Sequence, residues 1–234
     1  MPKSKHDGKI CVEPECDICK DELPFELPEH LLRAAEHSRL VIFAGAGIST
    51  ERTSVFPSSF LQDIKDDLNS SRSDLTFPEA MSMFCERPDG RSELLLKIRG
   101  RIDYVRNHPE LHCNATGFHR ELSTIWQIQD IITTNWDDFF ERECGATPFI
   151  TDKDLAFWSQ PGRRVLKLHG SIHSLGEMVV TTTDYERCYE ELSNGGVGQP
   201  IEDAPRRPNR CFRGLLAQRL GPSEDSRRSD GANG

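Results

Sequence analysis

An α/β fold built on a parallel sheet is what this sequence predicts, and three short apolar segments carry the prediction. Each ends in small or polar residues. Leu40-Val41-Ile42-Phe43 runs into Gly45-Ala46-Gly47, Asp130-Ile131-Ile132-Thr133 into Asn135 and Asp137, and Arg164-Val165-Leu166-Lys167-Leu168 into His169-Gly170-Ser171. Short β-branched and aromatic runs read as strands buried on both faces. Ligands of open parallel sheets bind beyond the carboxyl ends of the strands, where these polar residues fall. Helical periodicity separates the segments, so the sheet is Rossmann-like. About 60 residues of helix stand between the first and second strands, more than a minimal crossover needs.

The elements follow in order. Leu27-Pro28-Glu29 opens a helix with Pro in its first turn, an acidic residue at its amino end, and Leu31, Leu32 and Ala35 on one side. The first strand then enters Gly45-Ala46-Gly47-Ile48-Ser49, where glycine permits a sharp turn and lets an anion approach the main chain without a Cβ in the way. Thr50 stands where the third glycine of a dinucleotide fingerprint would be. Ser58 or Ser59 caps a helix carrying Phe60, Leu61, Ile64 and Leu68. Residues 69–77 read as a loop, Pro78 starts a short helix, and Leu94, Leu95, Ile98, Ile102 and Val105 mark a longer one with Pro109 beyond its end. Phe118, Leu122, Ile125 and Trp126 mark the next. The helical insertion thus spans about residues 58–126 and is expected to form a cap beside the cleft, its Met and aromatic residues being core.

After the second strand, Asp137 has two readings: a group facing the ligand crevice, or the cap of a helix over residues 138–141. Trp136 likewise reads as pocket lining or as core. His169, between a buried strand and a glycine turn, is well placed for chemistry near neutral pH. Met178–Thr182 reads as a further strand, and residues 184–192 as a helix with Tyr185, Cys188, Tyr189 and Leu192 on one face.

Composition narrows the function. The chain has 234 residues, enough for a substantial core, and a formal charge of −9. An acidic chain without a basic cluster on a recognisable motif is not expected to bind nucleic acid. No run of about 18 apolar residues suggests a membrane span, and the polar start, Met1 to Gly8, does not resemble a secretion signal. Eight scattered cysteines beside an apolar core point to reduced thiols in the cytoplasm. In the leader, residues 1–26, Cys16-Asp-Ile-Cys19 has zinc-knuckle spacing, and Cys11 and His6 would complete four ligands. No second pair follows about 15–20 residues later, which favours free thiols over zinc.

Taken together, Gly45-Ala46-Gly47-Ile48-Ser49, Thr133-Thr134-Asn135-Trp136-Asp137 and Leu168-His169-Gly170-Ser171 resemble the ordered motifs of the sirtuin-like NAD-binding domains, over residues 27–194. The resemblance is closer to the bacterial branch that breaks down NAD, notably in defence against phage, than to the protein deacylases. Deacylases carry a paired-cysteine zinc module after the His-Gly motif, and a Pro-Asp-Phe-Arg-type segment after the glycine turn; here Val55-Phe56-Pro57-Ser58-Ser59-Phe60 stands there instead. The resemblance implies NAD as substrate, held by Gly45, Ala46, Gly47, Ser49, Thr134, Asn135, Asp137 and Gly170. Ser49 would donate to a phosphate or ribose oxygen. Asn135 would orient water or the ribose, and His169 would act as general base. Three functions are implied: NAD hydrolysis, a deacylase or ADP-ribosyltransferase activity, or an inactive fragment binding NAD or ADP-ribose. A homo-oligomer or partner subunit fits any of them.

Residues 195–234 change character, with seven Gly, four Pro, seven Arg and no Lys. The expectation is a frameshifted or truncated frame that leaves the Rossmann sheet incomplete at its carboxyl-terminal part; a native flexible tail is the competing reading.

Overall fold

A computed structural model describes residues 28–193; the leader cysteines Cys11, Cys16 and Cys19 and the altered tail lie outside the described residues. Four parallel strands form one sheet: β1 (Val41–Ala44), β2 (Asp130–Thr133), β3 (Thr147–Phe149) and β4 (Arg164–Lys167), in spatial order β1-β2-β4-β3. Register sets Ala44, Thr133 and Lys167 side by side, so the first, second and fourth strands end in one row. The Rossmann-like α/β prediction therefore holds.

Helix α1 (Glu29–Glu36) precedes the sheet, with Pro28 before its first turn. Between β1 and β2 lie α2 (Phe60–Asp67), α3 (Phe77–Cys85), α4 (Gly90–Asn107) and α5 (Pro109–Thr124), the predicted helical insertion. Local chemistry sets their starts. Ser59 accepts the Gln62 N–H at 3.2 Å, and Glu79 takes the Thr76 N–H at 2.9 Å. Then come α6 (Phe139–Cys144), α7 (Asp152–Leu155) and α8 (Thr182–Ser193).

The cap is fused to the carboxyl end of the sheet. One core cluster joins Phe84, Leu94, Ile98 and Ile102 of the cap to Phe139, Ile172, Met178 and Val180, all from segments that follow β2 and β4. Arg91 of α4 reinforces this junction, bonding Asp184 at 2.8 Å and the Met178 carbonyl at 3.1 Å. Among the described residues, no helix is long and apolar enough to cross a membrane.

Several expectations are corrected. β1 is not buried on both faces: it is an edge strand of the described sheet, and Phe43 is 42% exposed. Met178–Thr182 is not a strand. Met178 and Val180 are fully buried, but the main chain turns into α8, with the Val180 and Thr181 N–H groups both donating to Asp184. An apolar run can be buried without ladder pairing, and periodicity alone cannot tell the two apart. Pro109 does not merely follow α4; it is the first residue of α5, where its missing N–H costs nothing. That helix stops at Thr124, leaving Ile125 and Trp126 exposed rather than on an apolar face.

Candidate active site

The site begins with the turn after β1. Gly45 is extended (φ −118°, ψ 178°) and Ala46–Ile48 form a single 3-10 turn. Neither Gly45 nor Gly47 needs a left-handed conformation, so the sharp-turn reason for glycine does not apply here. The second reason does. A Cβ at Gly47 would meet nothing within 4 Å, so the main chain there faces open space that a ligand can approach. Gly45 borders Thr134, whose hydroxyl would lie 3.8 Å from an added Cβ. The Ala46 carbonyl is used internally, accepting the N–H groups of Ser49 and Glu51.

Ser49 does not project into that space. It is fully buried, donates to Asp137 Oδ2 at 3.0 Å, and accepts from Asn135 Nδ2 at 3.2 Å. The expectation that it donates to a phosphate or ribose oxygen is corrected, because its one proton is committed to Asp137. Ser49 instead locks the two motif residues of the β2 end to the β1 turn.

The β2 end is tied down at every turn of the chain. Thr133 donates its hydroxyl to the Ala44 carbonyl at 3.0 Å and accepts the Asn135 N–H at 3.0 Å. The Thr134 N–H donates to the same Ala44 carbonyl, and the Trp136 carbonyl accepts the Ile172 N–H at 3.0 Å. Asp137 fulfils its capping reading, Oδ1 accepting the Phe139 N–H at the start of α6, while Oδ2 accepts from the Ser49 hydroxyl within the protein. Trp136 packs on the cap, its ring 6.0 Å from that of Phe77, so it belongs to the core side of its two readings.

Within this dense network, among the described residues, four buried side-chain atoms have no hydrogen-bond partner: Asn135 Oδ1, the Trp136 indole Nε1, Glu141 Oε2 and His169 Nε2. Asn135 is 3% and His169 5% exposed, and the two follow the ends of adjacent strands. Buried polar atoms in native proteins are nearly always paired, so these atoms stand out. The Ser49 bond uses the Asn135 amide nitrogen and so turns its oxygen free. His169 follows Leu168, whose N–H donates to Thr133 at the end of β2. The ring of Tyr185 packs edge-on at 4.8 Å. Burial pushes the His169 pKa down to about 4, below the near-neutral value expected from the sequence, so the ring is uncharged throughout the neutral range. Burial in the same place raises the Tyr185 hydroxyl to about 12.

Gly170 is required for the fold rather than for ligand approach. Its φ is +77°, and a Cβ would sit 2.3 Å from the Glu177 carbonyl oxygen. Its backbone lets the segment from Glu177 to Met178 close over the β4 end.

Sequence reasoning missed three groups around the site. Lys167 is fully buried and donates to the Asp137 carbonyl and to Glu141 Oε1 at 2.9 Å. Its signal was a charge inside an apolar strand. Asp138 is held by Arg106, Arg142 and His173. Against the upward pull of burial, hydrogen bonds from Arg142, Arg106 and His173 keep its carboxyl well below the usual range. His119 of α5 is fully buried with both ring nitrogens unpartnered, among Phe118, Phe139 and Phe140. No group of three or more His, Cys, Asp or Glu suited to a metal occurs among the described residues.

A family profile for the SIR2-like domain matches residues 129–220, from the entry to β2 onward. That segment is similar to sirtuin-like domains. The match runs across the composition change at Gly195 as far as Leu220. Over 178 residues the chain is 27% identical to the NAD(+) hydrolase ThsA of Cytobacillus dafuensis, covering 74% of the chain and 34% of that protein. It therefore spans about a third of that relative's length.

Proposed function

We propose that this chain cleaves NAD by hydrolysis, releasing nicotinamide and ADP-ribose. The observation that carries the reading is the pair of buried, unpartnered atoms, the Asn135 Oδ1 acceptor and the His169 ring nitrogen Nε2, after the ends of adjacent strands. Similarity to a protein named an NAD(+) hydrolase supports it.

The chemistry asks little of an acid. The C1′–nitrogen bond breaks with its electron pair going to nicotinamide, which departs neutral and needs no protonation. The ribose carbon is left oxocarbenium-like, as in glycoside hydrolysis. An oriented amide oxygen such as Asn135 Oδ1 stabilises that developing cation or positions water against it. Water then bonds to C1′ and gives up a proton, with uncharged His169 accepting at Nε2. A ring with a pKa of about 4 in the ligand-free chain is a weak base, so its first service is to orient the water. The open main chain at Gly47 suits the pyrophosphate. A role in defence against phage follows only from the family resemblance and depends on this activity.

The test is nicotinamide release from NAD by purified protein, followed by chromatography, with Asn135→Ala and His169→Ala alongside. Release by the wild type is expected, with each variant slowed about 1,000-fold while still melting cooperatively. Release that requires an acylated peptide would replace this reading with the deacylase one. NAD binding without cleavage would leave a binding fragment.

A further inference from the structure

We infer that Lys167 is a positioning residue for the Asn135–Asp137 loop, a role resting on the proposed NAD cleavage. Its side chain is 0% exposed, in the last row of β4 beside Thr133. The ammonium donates to two acceptors, the Asp137 main-chain carbonyl and Glu141 Oε1 at 2.9 Å.

A buried ion pair is a poor device for stability alone, since hydrophobic residues of similar volume usually serve as well or better. Glu141 shows the cost. Burial raises its carboxyl pKa despite the lysine, and its second oxygen, Oε2, is buried without a partner. What no apolar residue at position 167 can supply is the bond to the Asp137 carbonyl. That bond completes the anchoring of Asp137, whose two carboxylate oxygens hold Ser49 and the start of α6. Ser49 in turn takes the Asn135 amide nitrogen. The chain of contacts runs from Lys167 through Asp137 and Ser49 to the one free oxygen of Asn135. Lys167 thus sets where that oxygen points without touching substrate, and Glu141 balances its charge.

The experiment compares Glu141→Gln, which keeps the lysine arm, with Lys167→Met/Glu141→Leu, which removes pair and arm together and leaves no uncompensated charge. Nicotinamide release and amide hydrogen exchange are both followed. Glu141→Gln is expected to lower the unfolding midpoint, because the lysine charge loses its partner, while the folded protein keeps kcat within about threefold. The double variant is expected to lose about 30-fold in kcat with KM within about threefold, and to exchange amides at positions 134–138 about tenfold faster while β1 and α4 are unchanged. A folded double variant with wild-type kcat, or with unchanged exchange in the loop, overturns the assignment. Should that variant not fold, Lys167→Leu/Glu141→Met takes its place under the same two criteria. If the wild type releases no nicotinamide, the hydrolase reading alone fails, and loop exchange still decides the role of Lys167.

Discussion

The two ends of the parallel sheet are built on the same core but finished in opposite ways. At the amino-terminal end, arginines meet the main chain. Arg163 donates to the carbonyls of Leu122, Ile125, Ile128 and Cys144, and Arg164 pairs with Asp130 while reaching the Trp158 carbonyl at 2.7 Å. At the carboxyl-terminal end, an equally dense network stops short, leaving Asn135 Oδ1, Trp136 Nε1, Glu141 Oε2 and His169 Nε2 buried without partners among the described residues. One end is closed by arginines; the other holds the unpartnered atoms on which the proposed NAD chemistry rests.

The largest expected effect that would sharpen this contrast is the pH response of the carboxyl end. The His169 pKa falls from 6.5 to about 4 on folding, so between those values the unfolded chain binds a proton that the folded chain refuses. Its contribution is complete above about pH 6.5 and is lost as pH falls toward 4, about 3 kcal/mol in all. Urea unfolding across that range should be steeper in pH for the wild type than for His169→Asn; equal slopes would remove the desolvated histidine from the account. Next comes Arg163→Met at the other end, expected to cost about 2 kcal/mol in unfolding free energy while leaving kcat/KM unchanged. A tenfold loss of activity without a change in stability would break the division of labour. Gly47→Ala should invert that pattern, raising KM for NAD about tenfold with stability changed by less than about 0.5 kcal/mol. An unchanged KM would mean that no ligand approaches that turn. The smallest effect belongs to Trp126→Ser. This large ring is 69% exposed at the amino-terminal end, and its loss should move neither quantity beyond about 0.5 kcal/mol.

What was legible in the sequence was local. Leu94, Ile98, Ile102 and Val105 recur at helical spacing and are all buried in α4. The β-branched run before Asn135 is β2. Failures came where local pattern and tertiary pairing part company. β3 has three residues, one of them Pro148, and among the described residues it pairs on its β4 side alone, where a proline is tolerated. Met178–Thr182 has a strand's composition without a strand to pair with among the described residues. The sequence offers no partner for the charge of Lys167 within its strand, and the approach of the Asp137 carbonyl and Glu141 accounts for its burial.

By itself the sequence determined three of the four described strands, the helical insertion and the positions of polar residues at their ends. Each of these follows from apolar period, caps and breakers acting over a few residues. Only the tertiary structure decided that Ser49 turns inward to Asp137, 88 positions away, and that Asp137 caps α6 while holding Ser49. Only it decided which atoms of Asn135 and His169 stay free. The physical reason is register. Pairing Ala44 with Thr133 and Thr133 with Lys167 brings three strand ends into one row, and the hydrogen bonds made there depend on which residues become neighbours across the sheet.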